Sequence, residues 1–141
     1  MPRKIIPPNV LPEAAAYWQA ANQGRLLVKH CTACGQAHHY PRDICPHCLS
    51  DATEWRESTG VGQLYSFSTM GQGDAAYTIA FVTLDEGVTL MSNLVSQPVE
   101  GDAQQGGAEA VAPINPQIGA RVKVVFEPAT NGQAVPLFTL A

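Results

Sequence analysis

The segment CTACGQAHHYPRDICPHC, residues 31–48, contains every cysteine of this 141-residue chain. The cysteines form two Cys-x-x-Cys pairs, Cys31 with Cys34 and Cys45 with Cys48, and ten residues separate the pairs. Each pair can fold into a knuckle that directs two thiolates at one ion. Four thiolates select zinc, or iron in a rubredoxin-like site, so the spacing predicts a compact metal-binding ribbon.

The predicted ion is structural. Catalytic zinc usually has three protein ligands and a water, whereas four cysteines close the coordination shell. A redox dithiol is the alternative, but it needs only one pair. No cysteine is left over as a nucleophile, and Ser66, Ser68 and Thr69 have no histidine near them in the sequence. We therefore predict no catalytic residues.

All four histidines lie in or beside this segment: His30, His38, His39 and His47. His30 and His47 adjoin cysteines, so we expect them beside the metal ligands or at the surface. The loop between the pairs also carries Tyr40 and Arg42, and solvation or packing on a neighbouring element is the first expectation for its side chains. The alternative is that this loop, with basic residues nearby, contacts the phosphates or adenine of a nucleotide-like ligand.

The sequence before the ribbon predicts an extended arm followed by a helix. Residues 1–11 contain three prolines, and residues 12–23 begin with a proline and are followed by a glycine, as helices often are. Trp18 anchors the predicted helical face, which also includes Leu11, Ala14, Ala15, Ala21 and Asn22. This helix either packs on its own domain or docks on a partner subunit. Residues 25–30 then predict a strand that leads into the first knuckle.

The sequence after the ribbon predicts a small barrel. Five β-rich runs are bounded by turn signals: 61–70, 76–84, 88–95, 121–127 and 135–140. Asp85-Glu86-Gly87 and Asn131-Gly132 predict tight hairpin turns between consecutive runs. Five such strands favour an OB-type barrel. The prediction is a mainly β chain with one N-terminal helix, in which a zinc ribbon precedes a five-stranded OB-fold barrel.

We divide the chain into three parts on this basis. Residues 1–30 are the arm and helix, residues 31–57 are the zinc ribbon, and residues 58–141 are the OB-fold. An acidic loop at 97–117 interrupts the barrel pattern and carries no cofactor motif.

Charge is scarce and unevenly distributed. Charged residues make up 14% of the chain, against about 25% in a typical soluble domain, which suggests that a partner covers part of the surface. Residues 1–56 hold six basic and four acidic groups, whereas residues 57–141 hold two and eight. The second half therefore disfavours nucleic-acid binding, because that binding depends on Lys and Arg contacts to phosphate.

Nothing in the sequence suggests export or membrane insertion. No apolar stretch could serve as a signal-peptide core or a membrane span. We expect a cytoplasmic protein, because reducing compartments favour metal binding over disulfides at paired cysteines.

Several segments together resemble an acyl-CoA-associated family with an N-terminal helix, a rubredoxin-like zinc ribbon and a C-terminal OB-fold. The matching segments are Tyr17-Trp18, CTACG at 31–35, YPRDICPHCLS at 40–50, STGVGQLYSFS at 58–68, TLDEGVTLMSNLV at 83–95, VVFE at 124–127 and the PLF near the C-terminus. The loop at 97–117 departs from the family pattern, in which a short turn is expected.

The resemblance implies a partner role. Members of this family accompany thiolase-like or ketosynthase-like enzymes, or hydratases and aldolases that act on CoA thioesters. The larger subunit holds the catalytic residues. The chain is then a non-catalytic accessory subunit in a hetero-oligomer, with zinc as its structural ion and a CoA thioester as a shared ligand. Its charge suggests four contacts to CoA phosphates, at Arg25, Lys29, Arg42 and Arg56.

Three alternatives remain open at this point. A single-stranded nucleic-acid binder would stack bases on Tyr65, Phe67, Tyr77 and Phe81, although their alternate spacing favours core positions. A rubredoxin-like electron carrier would hold iron and be red. An enzyme active on its own would turn over acyl-CoA without a partner.

Overall fold

A computed structural model describes residues 4–96 and 116–141 of the chain. A 3-10 turn at Pro12–Ala14 begins the N-terminal helix, which continues as α1, Ala15–Asn22. An antiparallel sheet of three strands follows in the spatial order β2-β1-β3, with β1 at Leu27–Cys31, β2 at Ala37–His38 and β3 at Thr53–Glu57. Residues 97–115 of the predicted acidic loop lie outside the described residues.

The remaining strands form a closed barrel in the order β4-β5-β6-β8-β7. Their bounds are Val61–Met70 for β4, Tyr77–Leu84 for β5, Thr89–Leu94 for β6, Arg121–Pro128 for β7 and Ala134–Leu140 for β8. The pair β6–β8 is parallel, and the other pairs are antiparallel. The predicted fold class is confirmed, with all five predicted barrel strands present.

The barrel core follows from the alternation of side chains along each strand. On β5, Ala80, Val82 and Leu84 are buried, and the residues between them point outward. The fully buried Phe138 of β8 fills the interior against them. The turn between β5 and β6 closes at Gly87, which has a φ of +93°, so the predicted hairpin at Asp85-Glu86-Gly87 is confirmed.

A β-bulge in β4 separates the aromatic residues of the barrel into two environments. Leu64 pairs with Val82 and Ser66 pairs with Phe81, which leaves Tyr65 as the extra residue. The bulge turns both Leu64 and Phe67 toward the core, where an unbroken alternation would face Phe67 outward. The predicted core position is therefore wrong for Tyr65 and Phe81, which are 67% and 42% exposed.

The helix α1 packs between the ribbon and the barrel. Tyr17 and Trp18 are buried in the same core cluster as Phe138. The Asn22 side chain accepts a hydrogen bond of 2.8 Å from the backbone N–H of Ala134 in β8. Of the two predicted alternatives, the helix therefore packs on its own domain. Leu11 was expected on the buried face, but it is exposed, and Tyr17 takes the buried role instead.

No described helix has the length and apolar character that a bilayer crossing requires.

Candidate metal centre and the adjoining clefts

The two cysteine pairs adopt matching knuckles. In the first, the N–H of Gly35 donates to the carbonyl of Cys31 at 2.9 Å, and the φ of Gly35 is +78°. In the second, the N–H of Leu49 donates to the carbonyl of Cys45 at 2.9 Å. Leu49 has a φ of +66°, so in the second knuckle a leucine adopts the left-handed backbone conformation that Gly35 adopts in the first.

The knuckles bring the four thiol groups together. The four Sγ atoms lie within 4.8 Å of one another, with Cys31 to Cys48 at 3.6 Å and Cys34 to Cys45 at 3.7 Å. Cys31 and Cys45 are buried, while Cys48 is exposed. The backbone N–H of Cys34 lowers the pKa of the Cys31 thiol to about 7, whereas burial raises the pKa of the Cys34 and Cys48 thiols, so Cys31 is the thiol that ionises most easily in the absence of a metal.

This donor set fits a tetrahedral thiolate-binding metal ion. Four sulfur ligands complete a structural zinc shell, so such an ion would supply folding free energy to the ribbon. Among the described residues, these cysteines are the His, Cys, Asp and Glu side chains that converge closely enough to hold an ion.

His39 and Tyr40 of the ribbon loop pack against the helix, whereas Arg42, Asp43 and Ile44 of the same loop are exposed. The Nε1–H of Trp18 donates to the Tyr40 hydroxyl at 2.7 Å, which joins the helix to the ribbon. The ring of His39 lies 5.6 Å from that of Tyr17 and 5.4 Å from that of Tyr40. Burial lowers the pKa of His39 to about 4, so the ring is neutral at physiological pH.

The other three histidines differ in exposure. His38 is buried, its Nε2 lies 3.3 Å from the backbone nitrogen of Arg42, and burial lowers its pKa. His47 is exposed, with its Nε2 3.4 Å from the carbonyl oxygen of Ala37. His30 is half-buried on β1. His47 therefore lies at the surface, as predicted. His38 is packed on a neighbouring element, which is one of the two environments predicted for it.

Three of the four basic residues that were predicted to contact CoA lie beside a carboxylate of the chain itself. Arg25 pairs with Glu57 at 2.9 Å, and Arg56 pairs with Glu54 at 2.7 Å. Lys29 is buried, with its Nζ 4.2 Å from the centre of the Trp55 ring and 3.9 Å from a carboxylate oxygen of Asp43.

Arg42 differs from these three. It is exposed on the ribbon loop, and no ion pair to it is found within residues 4–96 and 116–141. Its guanidinium is therefore the most available of the four for an added anion.

Two clefts lie between the ribbon and the barrel. The larger has a volume of about 650 Å³ and an aromatic and aliphatic lining, which includes Tyr17, Tyr40, Tyr77, Phe81, Met91 and Pro136. The smaller has a volume of about 420 Å³ and a more polar lining, which includes His38, His47 and Glu86. His39 and Thr89 line both clefts, so the two adjoin at these residues.

Sequence patterns did not reveal these clefts. Their walls come from α1, the ribbon loop and three barrel strands, which are distant in sequence. The signal in the sequence is the presence of Tyr77 and Phe81 on a strand without charged residues, but their alternate spacing favours core positions.

Two family models match consecutive parts of the chain. The ChsH2 rubredoxin-like zinc ribbon domain matches residues 18–54, and the ChsH2 C-terminal OB-fold domain matches residues 55–127.

A similar curated protein is the "Probable enoyl-CoA hydratase alpha subunit" of Thermomonospora curvata. It is 35% identical over 100 residues, which are 67% of this chain and 31% of that protein. The chain thus spans about a third of the length of this relative.

Two solved structures are also similar. A chain of the "Ltp2-ChsH2(DUF35) aldolase" is 30% identical, with a TM-score of 0.72, and the match covers 95% of this chain and 98% of that one. A DUF35 protein of unknown function from Sulfolobus solfataricus is 14% identical, with a TM-score of 0.60, over 92% of this chain and 86% of that one. The second likeness bears on the fold alone.

Proposed function

The chain belongs to the ChsH2 family, in which a rubredoxin-like zinc ribbon precedes an OB-fold domain, and we propose that it is the accessory subunit of an acyl-CoA-processing complex. The observation that carries this proposal is the likeness over 95% of the chain to a component of the Ltp2-ChsH2 aldolase. The curated relative is named as a hydratase subunit, which adds support for a catalytic partner. We propose that the catalytic partner has a thiolase-like fold. A ketosynthase, an aldolase and a hydratase are the alternative classes of partner enzyme.

The test of this proposal is isolation of the complex. A tagged copy of the chain, expressed in its native host, is expected to retain a roughly stoichiometric thiolase-like protein that mass spectrometry identifies. Acyl-CoA turnover should then require the partner and should be absent from the isolated chain. A chain that is recovered alone, or that turns over acyl-CoA without the partner, would contradict the proposal.

We propose zinc as the structural ion, held by Cys31, Cys34, Cys45 and Cys48. The close approach of their four Sγ atoms supports this assignment. Elemental analysis of the purified protein should find about one zinc per chain, and the protein should be colourless. A red protein that contains iron would support the electron-carrier alternative instead. The reducing cytoplasm is the compartment that we propose, because it keeps these thiols available for metal.

We propose direct contact with CoA phosphates as a second role of this subunit. Arg25, Lys29, Arg42 and Arg56 are the predicted contacts, and Arg42 should contribute most because its guanidinium has no carboxylate beside it in the described residues. Replacement of each by alanine should raise the KM of the complex for its CoA substrate, with the largest change for Arg42→Ala. Lys123→Ala, on β7, is the control for loss of a positive charge. Four unchanged KM values would reject this role.

One observation favours the nucleic-acid alternative. Tyr65 and Phe81 are exposed on the barrel, where bases could stack on them. The strands that carry them contain no Lys or Arg to hold a phosphate backbone. A titration at low salt with a single-stranded oligonucleotide should therefore give no binding.

A further inference from the structure

The outward side of the sheet formed by β4, β5 and β6 carries no charge. None of the residues in these three strands is Lys, Arg, Asp or Glu. By contrast, the neighbouring strand β7 carries Arg121, Lys123 and Glu127. A sheet face in contact with water normally alternates polar and charged residues with its core positions, so an uncharged face requires another explanation.

Large apolar side chains are exposed on this side of the barrel. The exposed fractions are 67% for Tyr65, 44% for Met70, 42% for Phe81 and 62% for Met91. Phe81 and Met91 face each other across β5 and β6, and Met70 pairs with the half-buried Tyr77. We call these five residues the uncharged face.

The composition of the uncharged face matches the centre of a protein–protein interface. Such centres are enriched in Tyr, Phe and Met and depleted of charged residues. The flanking outward positions are neutral hydrogen-bonding groups: Gln63, Ser66, Ser68, Thr83, Thr89 and Asn93. A partner surface that is itself uncharged is therefore complementary, whereas a charged one would lose its hydration without gaining an ion pair.

The extent of the uncharged face favours a macromolecule over a small ligand. The larger cleft includes Tyr77, Phe81 and Met91 in its lining, but Tyr65 and Met70 lie outside it. A small molecule in that cleft would leave those two side chains in water. A nucleic acid would find no cation on these strands to contact its phosphates.

We propose that the uncharged face is the surface that docks on the catalytic subunit, against an uncharged apolar patch of that protein. This inference rests on the proposed function, because the occupant is the partner assigned there. It adds which side of the barrel is covered and which residues dominate the affinity. Tyr65 and Phe81 are the expected anchors, since aromatic residues at interface centres contribute most to binding.

The test compares two lysine substitutions at equally exposed apolar positions. Met91 is 62% exposed on the uncharged face, and Ile118 is 63% exposed in the turn before β7. Both Met91→Lys and Ile118→Lys add one positive charge without opening the core. The affinity of each full-length variant for the catalytic subunit that co-purifies with the wild type is then measured by calorimetry.

Met91→Lys should weaken the complex at least about tenfold, because it buries an unpaired ammonium at the interface, while Ile118→Lys should stay within about twofold of wild type. Tyr65→Lys should repeat the loss at a second position. Thermal unfolding of each variant alone establishes that the fold is intact.

The remaining outcomes separate this inference from the proposed function. If the wild type binds the catalytic subunit and both face variants bind equally well, the uncharged face is not the docking surface, and the accessory role stands. If Met91→Lys instead dissolves a self-association seen by sedimentation, or abolishes only acyl-CoA binding, then a second copy or a small ligand covers the face and the inference is overturned. If the wild type binds no catalytic subunit, the proposed function fails, and the assigned occupant fails with it.

Discussion

Gly62 offers a sharp test of how β4 closes the barrel. It lies where β4 pairs with β5 on one side, opposite Leu84, and with β7 on the other, opposite Val122. A Cβ atom at this position would lie 2.3 Å from the carbonyl oxygen of Thr83 and 2.9 Å from the Cα of Leu84. Both contacts are with backbone, so no side-chain rotation can relieve them.

The expected loss of stability follows from this overlap. A carbon and a carbonyl oxygen ordinarily approach no closer than about 3.3 Å, so Gly62→Ala forces the strands apart by roughly 1 Å. Hydrogen bonds to both neighbouring strands resist that movement. Overpacking of this kind destabilises by ~1–3 kcal/mol, and the rigid contact places Gly62→Ala near the upper value. The melting temperature should then fall by about 6–9 °C, at about 3 °C per kcal/mol for a chain of this size.

Gly132→Ala, in the turn between β7 and β8, is the control. Its added Cβ meets no atom within 4 Å, so the substitution tests the left-handed backbone at φ +89°. That strain amounts to ~1 kcal/mol, and the melting temperature should fall by about 3 °C. Both variants are unfolded by heat at a fixed zinc concentration and followed by tryptophan fluorescence. If Gly62→Ala proves as stable as wild type, or more stable than Gly132→Ala, the account of a close backbone approach is wrong.

Three further predictions concern the ribbon and its contacts. Cys45→Ser should abolish stoichiometric zinc binding and lower the melting temperature, as measured by elemental analysis and thermal unfolding, whereas retention of one tightly bound zinc would contradict the ligand set. Trp18→Phe should destabilise the chain by ~1 kcal/mol through loss of the bond to Tyr40; an equal loss when Tyr40→Phe is already present would show that this bond is not the cause. The folded-state pKa of His39 is about 4 and its ordinary value is 6.5, so the unfolded chain binds more protons between these values and stability should fall as the pH drops from about 6.5 to about 4. His39→Gln should flatten that part of the urea-midpoint profile, and an unchanged profile would refute the assignment.

The barrel was predictable because local signals agreed. Each of the five strands has an apolar face and a turn signal at its end, and Asp85-Glu86-Gly87 forms the expected hairpin. The spacing of the two Cys-x-x-Cys pairs likewise predicted that the four cysteines lie close enough to bind one metal ion. By contrast, β3 was not predicted, since it is a short strand of mixed character that gains its partner only when β1 is beside it.

Predictions that depended on partners distant in sequence fared less well. An aromatic residue on a strand can face either side: the bulge after Leu64 turns Phe67 toward the core as predicted, but it leaves Tyr65 exposed. The sequence likewise suggested that the basic residues are free to contact phosphates. Their pairing with Glu54, Glu57 and Asp43 could not be predicted, because it requires the folded sheet. The division at residues 30 and 57 stays a prediction.

The attachment of α1 to β8 has a consequence for the order in which the protein assembles on the ribosome. Gln133 donates a side-chain hydrogen bond of 3.0 Å to the carbonyl oxygen of Trp18, across 115 positions of sequence. The strand β8 also pairs with β6 and β7, so it follows along the chain every element that it binds. The strands and cysteines of the ribbon are synthesised well before β8. We therefore expect a nascent chain to bind its metal before β8 is added to the barrel. The walls of the larger cleft then come together only when β8 has docked, so we expect this cleft to form after the ribbon has bound its metal.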